Sequence, residues 1–375
     1  VERALRQIAS EVEVFSCQLS DWENDDTFRE QFRAALSKKS YDAVFSVNFN
    51  PMISMLCQEK GVLYISWVYD SPIHIRDLTP LRNEVNRTFF FDRGEAEAFS
   101  AEGYPVLHHP LAGDTIAFRK TIDMASRSER QSYQSEISFV GQLYRTEYDY
   151  YLSPLTAYQR GFLEGTISSQ GKVYGGYFIP ELLKEELLAG INERYREASG
   201  GTASISRREL MYLLAQEVTR RERLLALSLL SGRYLVDLYS ADDDERLPKR
   251  VVGGQTGCLR HSYIDSYTKM PLVFAGTEIN LNISLKCIRT GVPLRVFDVL
   301  SCGGFLITNL QAELPELFEI GEEVVCYGSI GELAELIDFY RKHDGERRRI
   351  AENGRRRIER DYTPEKQLQK IFEKI

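Results

Sequence analysis

The stretch INLNISLKCIRTGVPLRVFDVLSCGGFLIT, residues 279–308, decides how the rest of the chain is read. Residues 279–283 read as an apolar strand, and the loop after them carries Lys286, Arg289, Gly291 and Pro293. A helix is expected over residues 294–300, with Arg295 and Asp298 near its start. Cys302-Gly303-Gly304 ends it, and Phe305-Leu306-Ile307 is apolar enough to be a buried parallel strand. A helix starting just beyond a strand presents unbonded backbone N–H groups and the positive end of its dipole, which suits a phosphate. Two cations beside it, and a carboxylate one turn in, would suit a diphosphate joined to a ribose. The competing reading is one more βαβ crossover with ordinary surface charges, and local chemistry leaves both open.

Downstream, residues 323–327 read as a strand, 330–341 as a helix, and 346–375 as a basic, strongly helical tail. Upstream, residues 233–240 read as a strand, 241–249 as an acidic loop, 251–254 as a short strand end, and 261–273 as a turn and helix. Residues 146–229 are different. Their apolar residues recur at helical spacing, most clearly over 180–195 and 207–230, so the segment reads as a helical insertion. A strand at 137–144 starts the second sheet, with Gly141 at its end and Arg145 just beyond. Residues 111–134 are polar and poor in strand signals and read as a linker.

Residues 1–110 alternate strand and helix signals: strands at 11–16, 42–47, 62–67, 87–92 and 106–109, with short helices between. Such alternation means βαβ units and a parallel sheet. The fold class is therefore α/β, with an N-terminal domain over 1–115 and a C-terminal domain over 116–375. The chain opens on an amphipathic helix with no strand and no Met before it, so the first strand of that domain is expected to be missing through truncation or removal. Ligands of open α/β sheets bind outside the carboxyl ends of the strands. Asn48-Phe49-Asn50-Pro51 and Trp67-Val68-Tyr69-Asp70-Ser71-Pro72 sit at two such ends.

Composition excludes several classes. With 375 residues, 43% hydrophobic and 27% charged, the chain is that of a globular protein with enough length for two sizeable cores. A net charge of −8 argues against a broad nucleic-acid or anionic-membrane surface. No apolar run is long enough for a membrane span. The six cysteines are scattered without a CxxC pair, as expected for buried thiols of a cytoplasmic protein and not for a zinc site or disulfide framework.

Arg295-Val296-Phe297-Asp298 followed by residues 302–309, CGGFLITN, resembles the RxFE…GGFLLT signature of the CgeB-like (spore maturation protein-like) glycosyltransferases. Residues 313–327, 346–347 and 361–363 extend the resemblance, as do residues 64–72 and 109–112 in the first half. It covers nearly the whole chain apart from the helical insertion. The resemblance implies a GT-B fold, with two Rossmann-like domains facing across a cleft and a C-terminal tail packing back on the N-terminal domain. It further implies a nucleotide-sugar donor, UDP-linked, held on the C-terminal domain, and an acceptor (glycan, protein or small molecule) on the N-terminal one. No metal ion or other cofactor is implied, because cations and helix N-termini take the diphosphate. One departure stands out: the Glu of the signature is Asp298 here, one methylene shorter.

Carried onto this sequence, the donor side comprises Arg295 for the diphosphate, Asp298 for the ribose hydroxyls, and Lys286, Arg289, Gly141, Arg145, Tyr239 and Ser240 around them. Gly303 and Gly304 serve turn geometry. On the acceptor side, Asp70 is the candidate general base of an inverting transfer, or a residue that positions the acceptor in a retaining one, with Trp67 as an acceptor contact and Asn48, Asn50 and His74 as weaker ones. His108 and His109 read as structural. The function expected is metal-independent transfer of a sugar, a hexose, to an acceptor hydroxyl. The alternatives are a nucleotide-sugar epimerase of the same fold and a non-catalytic module that binds a sugar or partner.

Overall fold

The computed structural model describes residues 1–250 and 254–375; the strand end expected at 251–254 lies almost wholly outside the described residues. In chain order the helices are α1 (Glu2–Ile8), α2 (Asp26–Leu36), α3 (Pro51–Lys60), α4 (Arg93–Ala101), α5 (Thr115–Met124), α6 (Arg127–Ser132), α7 (Tyr148–Leu152), α8 (Ala157–Gln170) and α9 (Ile179–Leu182). They continue with α10 (Glu185–Ser199), α11 (Arg207–Ser231), α12 (Met270–Gly276), α13 (Leu294–Ser301), α14 (Leu314–Leu317), α15 (Ile330–Tyr340), α16 (Asp344–Asp361) and α17 (Pro364–Phe372). The strands are β1 (Ala43–Val47), β2 (Leu63–Val68), β3 (Asn86–Phe90), β4 (Val106–His108), β5 (Ser135–Val140), β6 (Leu235–Tyr239), β7 (Gly257–His261), β8 (Thr277–Asn282), β9 (Leu306–Asn309) and β10 (Val325–Tyr327).

The chain divides into two units. The first comprises Val1–Gly113, Thr290–Leu294 and Asp361–Ile375; the second comprises Asp114–Arg289 and Arg295–Arg360. Two short segments from far along the sequence thus belong with the first unit.

The first unit is built on a parallel sheet of order β1-β2-β3-β4. Its helices start where their caps dictate. Asp25 accepts from Phe28 N at 2.8 Å before α2, and Asn50 accepts from Ile53 N at 3.1 Å before Pro51 opens α3. Phe28, Phe32 and Leu36 fall on one face of α2 and pack with Met52, Leu56, Tyr64 and Phe90. Asp92 caps α4 and also accepts from Thr290 N at 3.0 Å, Thr290 Oγ1 at 3.0 Å and Gly291 N at 3.2 Å. That carboxylate ties the 290–294 segment to the unit. A Cβ at Gly291 would lie 2.7 Å from Asp92 Cα, so this close approach needs glycine. Helix α17 packs on α1, with an Arg3–Glu365 ion pair at 2.9 Å.

The second unit carries a parallel sheet of order β10-β9-β8-β5-β6-β7. Its core joins Ile137, Phe139, Val236, Leu238, Ile279, Leu281 and Ile307 to the inner faces of α11, α15 and α16. Helices α7–α11 form the insertion and enclose a core of their own around Leu163, Ile167, Ile191, Leu210 and Leu214. Gly303 has φ of 71°, and a Cβ at Gly304 would meet the Phe274 carbonyl at 2.7 Å.

Four expectations need correcting. Residues 11–16 form no strand; Glu11 and Glu13 are held by side chains instead, through Lys39 at 2.6 Å and the Tyr41 hydroxyl at 2.8 Å. β1, whose apolar run at 42–47 reads as a buried strand, is half-buried, as befits the edge of its sheet. The expected linker at 111–134 contains α5 and α6, because Asp114 and Ser126 are N-caps that accept from Ala117 N and Glu129 N. β7 was hidden within a polar run that included Arg260 and His261; it is the last strand of its sheet, paired with β6 on one side and met on the other by a single bridge from Lys249 to Cys258.

Candidate functional site

In the second unit all six strands run parallel, so Gly141, Ser240 and Ile283 leave β5, β6 and β8 on the same edge of the sheet. Arg295 lies in the first turn of α13. Its guanidinium stands over the Phe274 ring at 5.3 Å, touches Met270 Sδ, and lies 3.4 Å from Asp298 Oδ2. The i,i+3 spacing of Arg295 and Asp298 puts both on one face of the helix. Asp298 is buried, and that burial, only partly offset by Arg295, raises its carboxyl from the usual 3.8 to about 6. The same burial lowers the Arg295 guanidinium from its ordinary value. Tyr263 and Tyr267, in the exposed loop between β7 and α12, are within electrostatic reach of Arg295 and Asp298 respectively. The sequence-predicted pair is therefore brought together, flanked by two exposed tyrosines.

The remaining donor-side candidates separate. Lys286 is a buried ion-pair partner and not a loop cation in solvent: its Nζ lies 2.9 Å from Glu222 Oε2 and 4.1 Å above the Tyr174 ring. A buried ammonium needs such partners, and Glu222 comes from the helical insertion, 64 positions earlier. Tyr239 is buried and stacks on His261 with ring centroids 4.3 Å apart. His261 Nε2 lies 2.6 Å from Asp237 Oδ1. Ser240 is buried, and its hydroxyl accepts from Asp242 N at 3.1 Å. Gly141 donates its N–H to the Tyr239 carbonyl at 3.0 Å. Arg145 is exposed, and Arg289 is half-buried with Tyr177 as an electrostatic neighbour.

In the first unit, Asn48 and Asp70 leave β1 and β2 side by side. Asn48 has φ of 61°, a left-handed conformation that asparagine tolerates better than most residues. Its Oδ1 accepts from Tyr69 N at 2.7 Å and Asp70 N at 3.2 Å, and its Nδ2 donates to Asp70 Oδ2 at 2.6 Å. Asp70 is exposed. Asn48 thus holds the Asp70 carboxylate in one orientation. Trp67 is fully buried in β2, with its ring 5.7 Å from that of His109, so it cannot contact an acceptor from outside. His74 is exposed, whereas Asn50 is buried as the cap of α3.

His109 is buried, and desolvation followed by the Lys374 charge pushes its imidazole down to about 3. It lines a pocket of about 480 Å³ with Tyr362, Gln367, Lys370 and Lys374. Sequence reasoning missed Asp92, Glu222, Arg223 and Asp237, whose partners lie in distant segments. Among the described residues, no group of three His, Cys, Asp or Glu side chains could hold a metal ion. No helix among them is long and apolar enough to cross a membrane.

The fold has counterparts among solved structures. Anabaena HepE solved with UDP-glucose superposes with a TM-score of 0.52 at 13% identity, covering 99% of this chain and 87% of that one. Its complex with UDP gives 0.51 at 12% identity, covering 93% and 81%. The N-terminal domain of Candida albicans trehalose-6-phosphate phosphatase gives 0.51 at 10%, covering 92% and 74%. The fold is GT-B. Within it, residues 233–373 match the family described as glycosyl transferase-like, a span that includes β6–β10, α13 and the Arg295–Asp298 pair. No curated protein matches the chain. The Asn48–Asp70 and Arg295–Asp298 pairs belong one to each unit.

Proposed function

We propose that this protein is a cytoplasmic, CgeB-like glycosyltransferase that moves a hexose from a UDP-sugar to an acceptor hydroxyl. The observation that carries the reading is the Arg295–Asp298 pair at the head of α13, inside the segment that matches the glycosyl transferase-like family. Arg295 and the first N–H groups of α13 take the diphosphate, and Asp298 accepts from the ribose hydroxyls. In the transfer, the bond from the anomeric carbon to the diphosphate oxygen breaks and its electron pair leaves with UDP. The acceptor oxygen forms the new bond, and its proton passes to Asp70, which Asn48 orients. Charge developing on the leaving diphosphate is stabilised by fixed cations and helix N–H groups, without a metal. The bound ligands of HepE, UDP and UDP-glucose, support UDP as the nucleotide.

The test is a panel of UDP-sugars and hydroxyl acceptors, with released UDP and sugar exchange both monitored, in EDTA and in added divalent cation. Acceptor-dependent UDP release in EDTA is the expected result. Binding with neither release nor exchange would favour a non-catalytic module. Sugar interconversion without an acceptor would favour an epimerase. Activity lost on chelation and restored by the cation would remove the metal-free step.

A further inference from the structure

One turn of α11, deep in the helical insertion, reaches the two loops that leave β5 and β8. Thr219 Oγ1 accepts from Lys286 N at 2.9 Å, and Glu222 pairs with Lys286 Nζ. Arg223 does more. Its Nε donates to the Ile283 carbonyl at 3.1 Å, its Nη2 donates to the same oxygen, and its Nη1 donates to the Gln142 carbonyl. Its guanidinium also lies 4.8 Å from the Tyr144 ring centroid and 5.1 Å from that of Phe139. The side chain is only 7% exposed.

β5 and β8 are neighbours in the sheet, and both loops leave at their carboxyl ends, where open α/β sheets bind ligands. A single planar group with several donors therefore crosslinks both loops. Its charge is unusual as well. Its donors are met by backbone carbonyls and the Tyr144 side chain, while the neighbouring Glu222 carboxylate, within electrostatic reach, pairs with Lys286 Nζ instead. The guanidinium remains a cation even where burial disfavours it. A Cβ built on Gly141 would lie 3.8 Å from Arg223 Nη1, so this buried charge stands directly behind the loop.

We propose that Arg223 is a positioning residue for the donor: it holds loops 141–144 and 283–286 in the shape that receives the diphosphate and places a buried positive charge behind them, without touching the donor. The proposal rests on the reading of the second unit as a UDP-sugar site. It also gives the helical insertion a role, since α11 belongs to that segment.

The experiment compares wild type with Arg223→Lys, which keeps the charge but cannot reach both carbonyls. UDP and uridine affinities are measured by titration, and amide exchange is followed in the ligand-free proteins. UDP affinity should fall tenfold or more while uridine affinity stays within twofold, because only UDP carries the diphosphate. Exchange should accelerate in both loops. Equal losses for UDP and uridine, unchanged UDP affinity, or unchanged loop exchange would each overturn the positioning role. Failure of the wild type to bind UDP would instead overturn the functional reading itself. Should Arg223→Lys not fold, Gly141→Ala decides, because its Cβ would press on the Phe139 ring at 3.2 Å and displace the same loop. The same split between UDP and uridine is expected there, and its absence overturns the proposal.

Discussion

Two carboxylates, one just past the end of β2 and one in α13, live under opposite conditions. Asp70 is exposed and oriented by one asparagine whose own backbone is left-handed. Asp298 is buried, faces an arginine one turn away, and is held partly toward its neutral form. An exposed carboxylate is open to an arriving hydroxyl. A buried one beside a fixed cation is better suited to accepting hydrogen bonds from a ligand that displaces the last water. Under the proposed reading, the difference suits Asp70 to taking a proton and Asp298 to holding the donor.

The largest effect should come from Asp70→Asn. Turnover should fall by roughly 10²- to 10⁴-fold, the usual worth of a general base, while UDP affinity is unchanged. Full activity in that variant would remove Asp70 from the reaction. Next comes Lys286→Met, which strands Glu222 as a buried carboxylate. A loss of about 3–5 kcal/mol in stability is expected from chemical denaturation. A variant as stable as wild type but weak in UDP binding would return Lys286 to the donor site.

Asp298 should reveal itself through pH. Its folded pKa is raised from the usual 3.8 to about 6, so its stabilising contribution is complete below about pH 4 and disappears as pH rises through 6. Wild type should therefore lose up to about 3 kcal/mol relative to Asp298→Asn between pH 4 and pH 7, read from denaturation midpoints. A pH-independent difference would mean that Asp298 is not desolvated. Arg295→Ala should weaken UDP binding by roughly 1.5–3 kcal/mol, the worth of a charged hydrogen bond, measured by calorimetry. Unchanged affinity there would sink the donor-site assignment. The smallest effect belongs to Asn48→Ala, which removes the hydrogen bonds that orient the exposed Asp70 and should raise the activation free energy of turnover by about 0.5–1.5 kcal/mol without altering UDP affinity. An effect on UDP binding instead would blur the division between the two units.

Much of this was legible because it is local. The apolar runs of β2, β5 and β9 fix buried parallel strands, and Arg295 and Asp298 share a helix face by spacing alone. Asn50 before Pro51, and Gly61 after Lys60, mark both ends of α3. What was not legible depends on partners far apart in sequence. Lys286 looks like a loop cation until Glu222 is placed against it. Trp67 looks like a contact residue at a strand end until its 0% exposure shows it facing the core. β7 was lost because an edge strand keeps polar residues that a buried strand would exclude. Asp92 read as the end of a strand, and its bonds to Thr290 and Gly291 span about two hundred residues.

That last carboxylate has a consequence for how the chain acquires its structure during synthesis. The first unit draws on residues 1–113, then 290–294, then 361–375. At a ribosomal rate of roughly 5–20 residues per second, its early sheet must wait about 10–50 seconds for the segment from Asp361 onward to emerge. During that interval Asp92 lacks the Thr290 and Gly291 donors, and α1 lacks α17. The nascent first sheet is thus an incomplete unit for as long as the second is being made, the period in which a chaperone that shields the α1 surface would matter most.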